Sequence, residues 1–179
     1  MKLISQVKKH IESFFVNGTI GKVYNVVSYK GYMKNKTRYL KKRGVKINDP
    51  VTYISPDVYF DSHDYSLISI GKNVVLSREV MLLVHDYSIG GLMKAFEIKF
   101  DGEGENIQHF KEEIIIGDDS FIGARASILP GTRIGKCCII GACSVVKGNI
   151  PDYSIVVGNP AKIINDTRKF VEKGIKGGY

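Results

Sequence analysis

The sequence predicts an all-β fold: a parallel β-helix of six-residue units, with a helical segment in front and one long insertion. Three observations predict it. First, residues 116–146, IGDDSFIGARASILPGTRIGKCCIIGACSVV, place an aliphatic residue at every sixth position: Ile116, Ile122, Ile128, Ile134, Ile140 and Val146. On a helix each residue turns by about 100°, so these anchors would scatter over three faces. On a strand side chains alternate, so every sixth residue returns to one face. Second, Ser120, Ala126, Thr132, Cys138 and Ser144 follow the anchors by four. That offset is even, so these small residues point inward too. Third, Gly117, Gly123, Gly135 and Gly141 directly follow four anchors, where a backbone bends or closely approaches another. Short in-phase repeats of this kind stack as coils about 4.8 Å apart and bury a column of isoleucine.

The elements follow in chain order. Residues 2–16 carry Leu3, Ile4, Val7, Ile11, Phe14 and Phe15 at helical spacing, and a helix there is expected to pack over the open end of the coil. Residues 33–46, MKNKTRYLKKRGVK, hold much of the formal charge of +8. Nucleic acid, an anionic membrane surface or an anionic glycan are the partners such charge suits. No nucleic-acid module accompanies it, so a solvated face near the start of the coil is favoured. Residues 1–45 thus read as a helical and basic leader capping the coil. Residues 46–164 read as the coil, where Ile47 with Val51 and Ile54 with Val58 keep local four-residue pairs. Ile70, Leu76 and Leu82 are anchors, with Val74 and Val80 in the small slots. Between Leu82 and Ile116 the pattern stops. Residues 86–113 therefore read as a loop insertion, and long loops in compact repeat domains are usually functional. Residues 165–179 read as a polar tail of one or two helical turns.

A chain of 179 residues with 44% hydrophobic and 25% charged content is long enough for one globular domain. No run approaches a membrane span, and MKLISQVKKHIESFF lacks the apolar core of a signal peptide. A cytoplasmic protein with no transmembrane segment is expected. Cys137, Cys138 and Cys143 read as reduced thiols; their spacing does not suit zinc.

The frame [Ile/Leu/Val]-Gly-x-x-small-x, with the ending GACSVVKGNIPDYSIVVGNPAKII, resembles the hexapeptide-repeat acyltransferases across residues 70–164. The resemblance implies a left-handed β-helix of triangular section. It implies an acetyl-CoA-dependent O-acetyltransferase of the sugar or xenobiotic type, acting on a saccharide, as in surface polysaccharide biosynthesis. It also implies a homotrimer with active sites between subunits, in which the insertion walls a neighbour's site. His85, in LLVHDYS just before the insertion, matches the family's catalytic histidine. The chemistry needs such a residue: a sugar hydroxyl attacks a thioester poorly while protonated, and an imidazole of reference pKa about 6.5 can take that proton. Glu79 stands where several family members carry an acceptor-side Asn, so it is a candidate acceptor-binding residue. Asp86 is a second, though on a strand it points away from His85 and helps only if the chain turns there. Ala124 and Ala142 match positions along the pantetheine arm of acetyl-CoA. Lys147 and Lys162 match basic residues facing its phosphates, and Asn165 replaces a further basic residue. No metal is required in this reading. Antibiotic or amino-sugar N-acetylation is the alternative. A γ-carbonic-anhydrase-like metal site is disfavoured because His63, His85 and His109 are widely separated, where that family places two histidines close together within one coil. A non-catalytic scaffold would bind no CoA.

Overall fold

The computed structural model describes residues 18–61, 65–97 and 110–175. The helix expected over 2–16 lies outside them. Short parallel strands form three faces. The first face stacks Lys46–Ile47, Ile68–Ile70, Ile114–Ile116, Arg133–Ile134 and Asn149–Ile150. The second stacks Tyr53–Ile54, Val75–Leu76, Phe121–Ile122, Ile139–Ile140 and Ser154–Gly158. The third stacks Tyr59–Phe60, Met81–Leu82, Ser127–Ile128 and Val145–Val146.

Register settles how the repeats become a solid. Ile116 pairs with Ile134, Ile122 with Ile140 and Ile128 with Val146, so each anchor meets the third anchor after it. Three repeat units therefore make one full coil, one unit per face. The anchors from Ile70 to Val146 are all buried, and so are the small slots Val74, Val80, Ser120, Ala126, Thr132, Cys138 and Ser144. The buried hydroxyls are satisfied, which removes the cost of enclosing them. Ser120 Oγ donates to the Gly135 carbonyl at 2.9 Å and accepts from Cys138 N–H at 3.0 Å. Thr132 Oγ1 donates to the Leu129 carbonyl at 2.6 Å.

The glycines after the anchors serve close approach. A Cβ on Gly117 would lie 2.5 Å from the Gly135 carbonyl carbon, and one on Gly123 would lie 2.6 Å from the Ala142 nitrogen. The left-handed backbone falls two residues later, on Asn73, Glu79, Asp119, Arg125, Cys137 and Cys143, with φ between 54° and 60°. These positions turn the chain at the corners.

Both ends of the coil are covered. Helices α1 (Thr19–Val27) and α2 (Tyr29–Arg43) lie at the first end. α2 buries Tyr32, Met33, Lys36, Tyr39 and Leu40, and Tyr32 Oη donates to the Ile54 carbonyl at 2.8 Å. At the other end Ser154–Gly158 pairs antiparallel with Ala161–Asp166. A helix over Thr167–Ile175 follows, and Thr167 Oγ1 donates to the Cys137 carbonyl at 2.9 Å. The strand thus runs through Asn165 and Asp166, which the sequence places in the tail.

The insertion is more ordered at its base than a loop. His85–Asp86 pairs antiparallel with Phe110–Lys111, and Glu112 N–H donates to the Val84 carbonyl at 3.0 Å. Helix α3 (Ser88–Ala95) follows the first strand of this hairpin. Leu82, before the insertion, pairs with Ile128, after it, so the coil resumes in register on the far side.

Candidate active site

The third face builds the site. Its strands bring Phe60 beside Leu82, Leu82 beside Ile128 and Ile128 beside Val146. The residues that follow, Asp61, Leu83, Leu129 and Lys147, make one column along the coil axis. Asp61 is tied in by its N–H, which donates to the Leu82 carbonyl at 3.2 Å.

His85 lies at the root of the insertion hairpin, and Asp61 Oδ2 meets its Nδ1. Both side chains are largely buried, at 15% and 12% exposure for His85 and Asp61. A carboxylate at Nδ1 fixes the tautomer: Nδ1 carries the proton and Nε2 carries the lone pair. The Tyr87 ring lies against the imidazole, with centroids 4.7 Å apart and planes tilted by 59°. Asp61 is the residue that sequence reasoning missed. The first coil is longer than three repeat units: Phe60 pairs with Leu82, where three units would reach only Arg78. Aligning the two strand ends, YFD under MLL, is the signal that finds it.

Asp86 does not orient the imidazole. Its Oδ1 accepts from Ser88 N–H at 2.8 Å and Ser88 Oγ at 2.6 Å, at the start of α3. Those two bonds hold its carboxyl below the usual range, and the Lys147 charge adds to them. Lys147, exposed on the third-face column, therefore stands close enough to act on the insertion root. Glu79 sits at the corner between the second and third faces, with φ 57°. Its carboxylate accepts from Arg125 Nε at 2.6 Å, one coil on, which lowers its pKa. Ala124 and Ala142 stack on the same corner: the Ala124 carbonyl accepts from Cys143 N–H at 2.9 Å. Ala142 is exposed and Ala124 half-buried, so the two positions offer backbone and methyl groups beside the exposed Glu79–Arg125 pair. Gly158 closes it above, its N–H donating to Ser144 Oγ at 3.1 Å. Lys162 is exposed on the last strand of the second face, opposite Val157. The fold thus joins His85 with Asp61 and sets Lys147 near Asp86, while Glu79, Ala124 and Ala142 gather at a separate corner and Lys162 belongs to another face.

Among the described residues no group of three His, Cys, Asp or Glu could hold a metal; His63 and His109 lie outside them. Cys137, Cys138 and Cys143 are free thiols. No helix of the described residues is long and apolar enough to cross a membrane.

The family described as "Bacterial transferase hexapeptide (six repeats)" matches residues 113–148. The protein CapG of Staphylococcus aureus is 36% identical over 135 residues, covering 75% of this chain and 73% of CapG. The chain belongs to the hexapeptide-repeat transferases. A probable acetyltransferase of Mycobacterium tuberculosis is 50% identical over 117 residues, 59% of this chain and 39% of that protein. A putative lipopolysaccharide biosynthesis O-acetyl transferase of Escherichia coli is 29% identical over 110 residues, 59% of this chain and 55% of that protein. The chain spans about half the length of these two curated relatives. Among solved structures, a hexapeptide-repeat acetyltransferase of Vibrio cholerae complexed with acetyl-CoA superposes with a TM-score of 0.59 at 17% identity, covering 90% of this chain and 86% of the other. That likeness is one of fold, and the coil is a left-handed β-helix.

Proposed function

We propose that the protein transfers an acetyl group from acetyl-CoA to a sugar hydroxyl, with His85 as general base. The carrying observation is the Asp61–His85 pair at the root of the insertion. Nε2 of His85 takes the hydroxyl proton as the oxygen attacks the thioester carbonyl. Asp61 holds the imidazolium that forms. The carbon–sulfur bond then breaks and the same proton passes to the departing CoA thiolate, so His85 ends the cycle neutral. The relatives named for acetyl transfer, and the one named for lipopolysaccharide O-acetylation, support the reaction and a saccharide bound for a surface polymer.

Ala124 and Ala142 suit a narrow pantetheine arm, because their small side chains leave the backbone open to it beside the Glu79–Arg125 pair. In this reading Lys147 and Lys162 serve the CoA phosphates, and Glu79 and Asp86 serve the acceptor. One coil supplies only one wall of such a groove. The working form in this reading is a homotrimer in the cytoplasm, with sites between subunits, as the family resemblance implies. An acceptor screen tests the reaction: free thiol released from acetyl-CoA is followed with saccharides, amino sugars and macrolides. Release with saccharides that lack an amine is expected. Turnover confined to amines or macrolides, or none with any acceptor, would contradict it.

A further inference from the structure

We propose that the α1–α2 end of the coil docks on an anionic membrane surface, independently of the acetyl-transfer reading. α2 contains no acidic residue. At about 100° per residue, Lys30, Lys34, Arg38, Lys41 and Lys42 fall within about 120° of arc, opposite the buried Tyr32, Met33, Lys36, Tyr39 and Leu40. All five cations are exposed. Lys41 pairs with Asp49; the other four have no acidic partner among the described residues. Because the buried side of α2 faces the coil, the cationic side faces out from the end of the molecule.

An aliphatic cluster adjoins this stripe. α1 presents Ile20, Val23, Val26 and Val27 to solvent, the last two at 85% and 77% exposure. Ser28 alone separates Val27 from α2, so the end of the cluster meets the start of the cationic stripe. Bare valines cost free energy in water, and a polar partner would leave them wet. A surface with anionic headgroups over an apolar layer satisfies both features together. Lys34, Arg38, Lys41 and Lys42 also line a groove of about 570 Å³ against Asp49, Pro50 and Val51, in which the cations outnumber the one carboxylate. The docked end is the end of the coil axis, so the third face and its histidine stand along the side of the molecule.

The test is co-sedimentation of the full chain with vesicles of phosphatidylcholine alone or of phosphatidylcholine mixed with phosphatidylglycerol. Binding to the anionic vesicles only, falling as salt rises, is expected. Lys34→Glu/Arg38→Glu/Lys42→Glu should lower partitioning at least tenfold, and Val26→Asp/Val27→Asp should do the same with an unchanged Tm. Equal binding to both vesicle types, no binding to either, or variants that bind like wild type would overturn the proposal. So would displacement from vesicles by a soluble acidic polysaccharide at equal charge, which would assign the stripe to glycan. A change in particle mass caused by the valine variants without lipid would also overturn it, by assigning the cluster to self-contact.

Discussion

Asp61 decides which nitrogen of His85 can act. Replacing it with asparagine keeps the size and removes the carboxylate that would hold the imidazolium formed in the reaction. In Asp61→Asn kcat should fall about 10- to 100-fold while CoA affinity and Tm stay near wild type; near-normal turnover would remove Asp61 from the mechanism. Lys36 carries a second consequence. It is enclosed between α2 and the first coil, donates to the Pro56 carbonyl at 3.4 Å and lies 5.9 Å from the Phe60 ring centre. Burial pulls its pKa down to about 7, against the opposing pull of Asp57. The unfolded chain titrates this lysine near the ordinary value of about 10.4. Between those values the unfolded state holds the extra proton, so folding stability gains as pH rises from about 7 to about 10. The Tm of wild type should therefore gain on that of Lys36→Met over this range, and a constant difference would refute the lowered pKa. His85 was singled out in the sequence because it stands where the repeat gives way to the insertion and matches the histidine of the resembling family. Asp61 was not, since the first coil departs from the three-unit period that would have aligned the two.

Corners and glycines show how much of an element a six-residue pattern encodes. The inward columns were readable because a strand returns to the same face at every even step, and all of the small slots are buried. Glycine was readable as a special position, and the structure selects close approach over bending. Gly123→Ala sets this at a number: its Cβ would meet the Ala142 nitrogen at 2.6 Å and the Ile140 carbonyl at 2.7 Å. Both are backbone atoms of the next coil and cannot swing aside. Such overpacking should cost about 1–3 kcal/mol in urea unfolding, and a neutral result would mean the coils can part there. α2 was harder to read. Its buried side mixes two tyrosines and a lysine with Met33 and Leu40, so the apolar period is diluted and only the charge stood out. The helix on the insertion escaped for a related reason: SIGGLMKA carries two adjacent glycines, which lower helix propensity.

At the scale of the molecule, six-residue spacing implies a coil but not its cross-section. The pairing of every anchor with the third one after it supplies three faces, and handedness entered through resemblance because parallel crossovers are ordinarily right-handed. Sites shared between subunits, as proposed, require an assembly. Light scattering should return a trimer, and a monomer at micromolar concentration would count against shared sites. The most direct measurement is a paired one on His85→Ala in that assembly: turnover with acetyl-CoA and a saccharide acceptor, together with CoA affinity by calorimetry. A general base is worth about 10²- to 10⁴-fold, so kcat should fall by that factor while CoA affinity and Tm stay near wild type. Near-normal turnover in His85→Ala would contradict the base, and with it the placing of acetyl transfer at the root of the insertion.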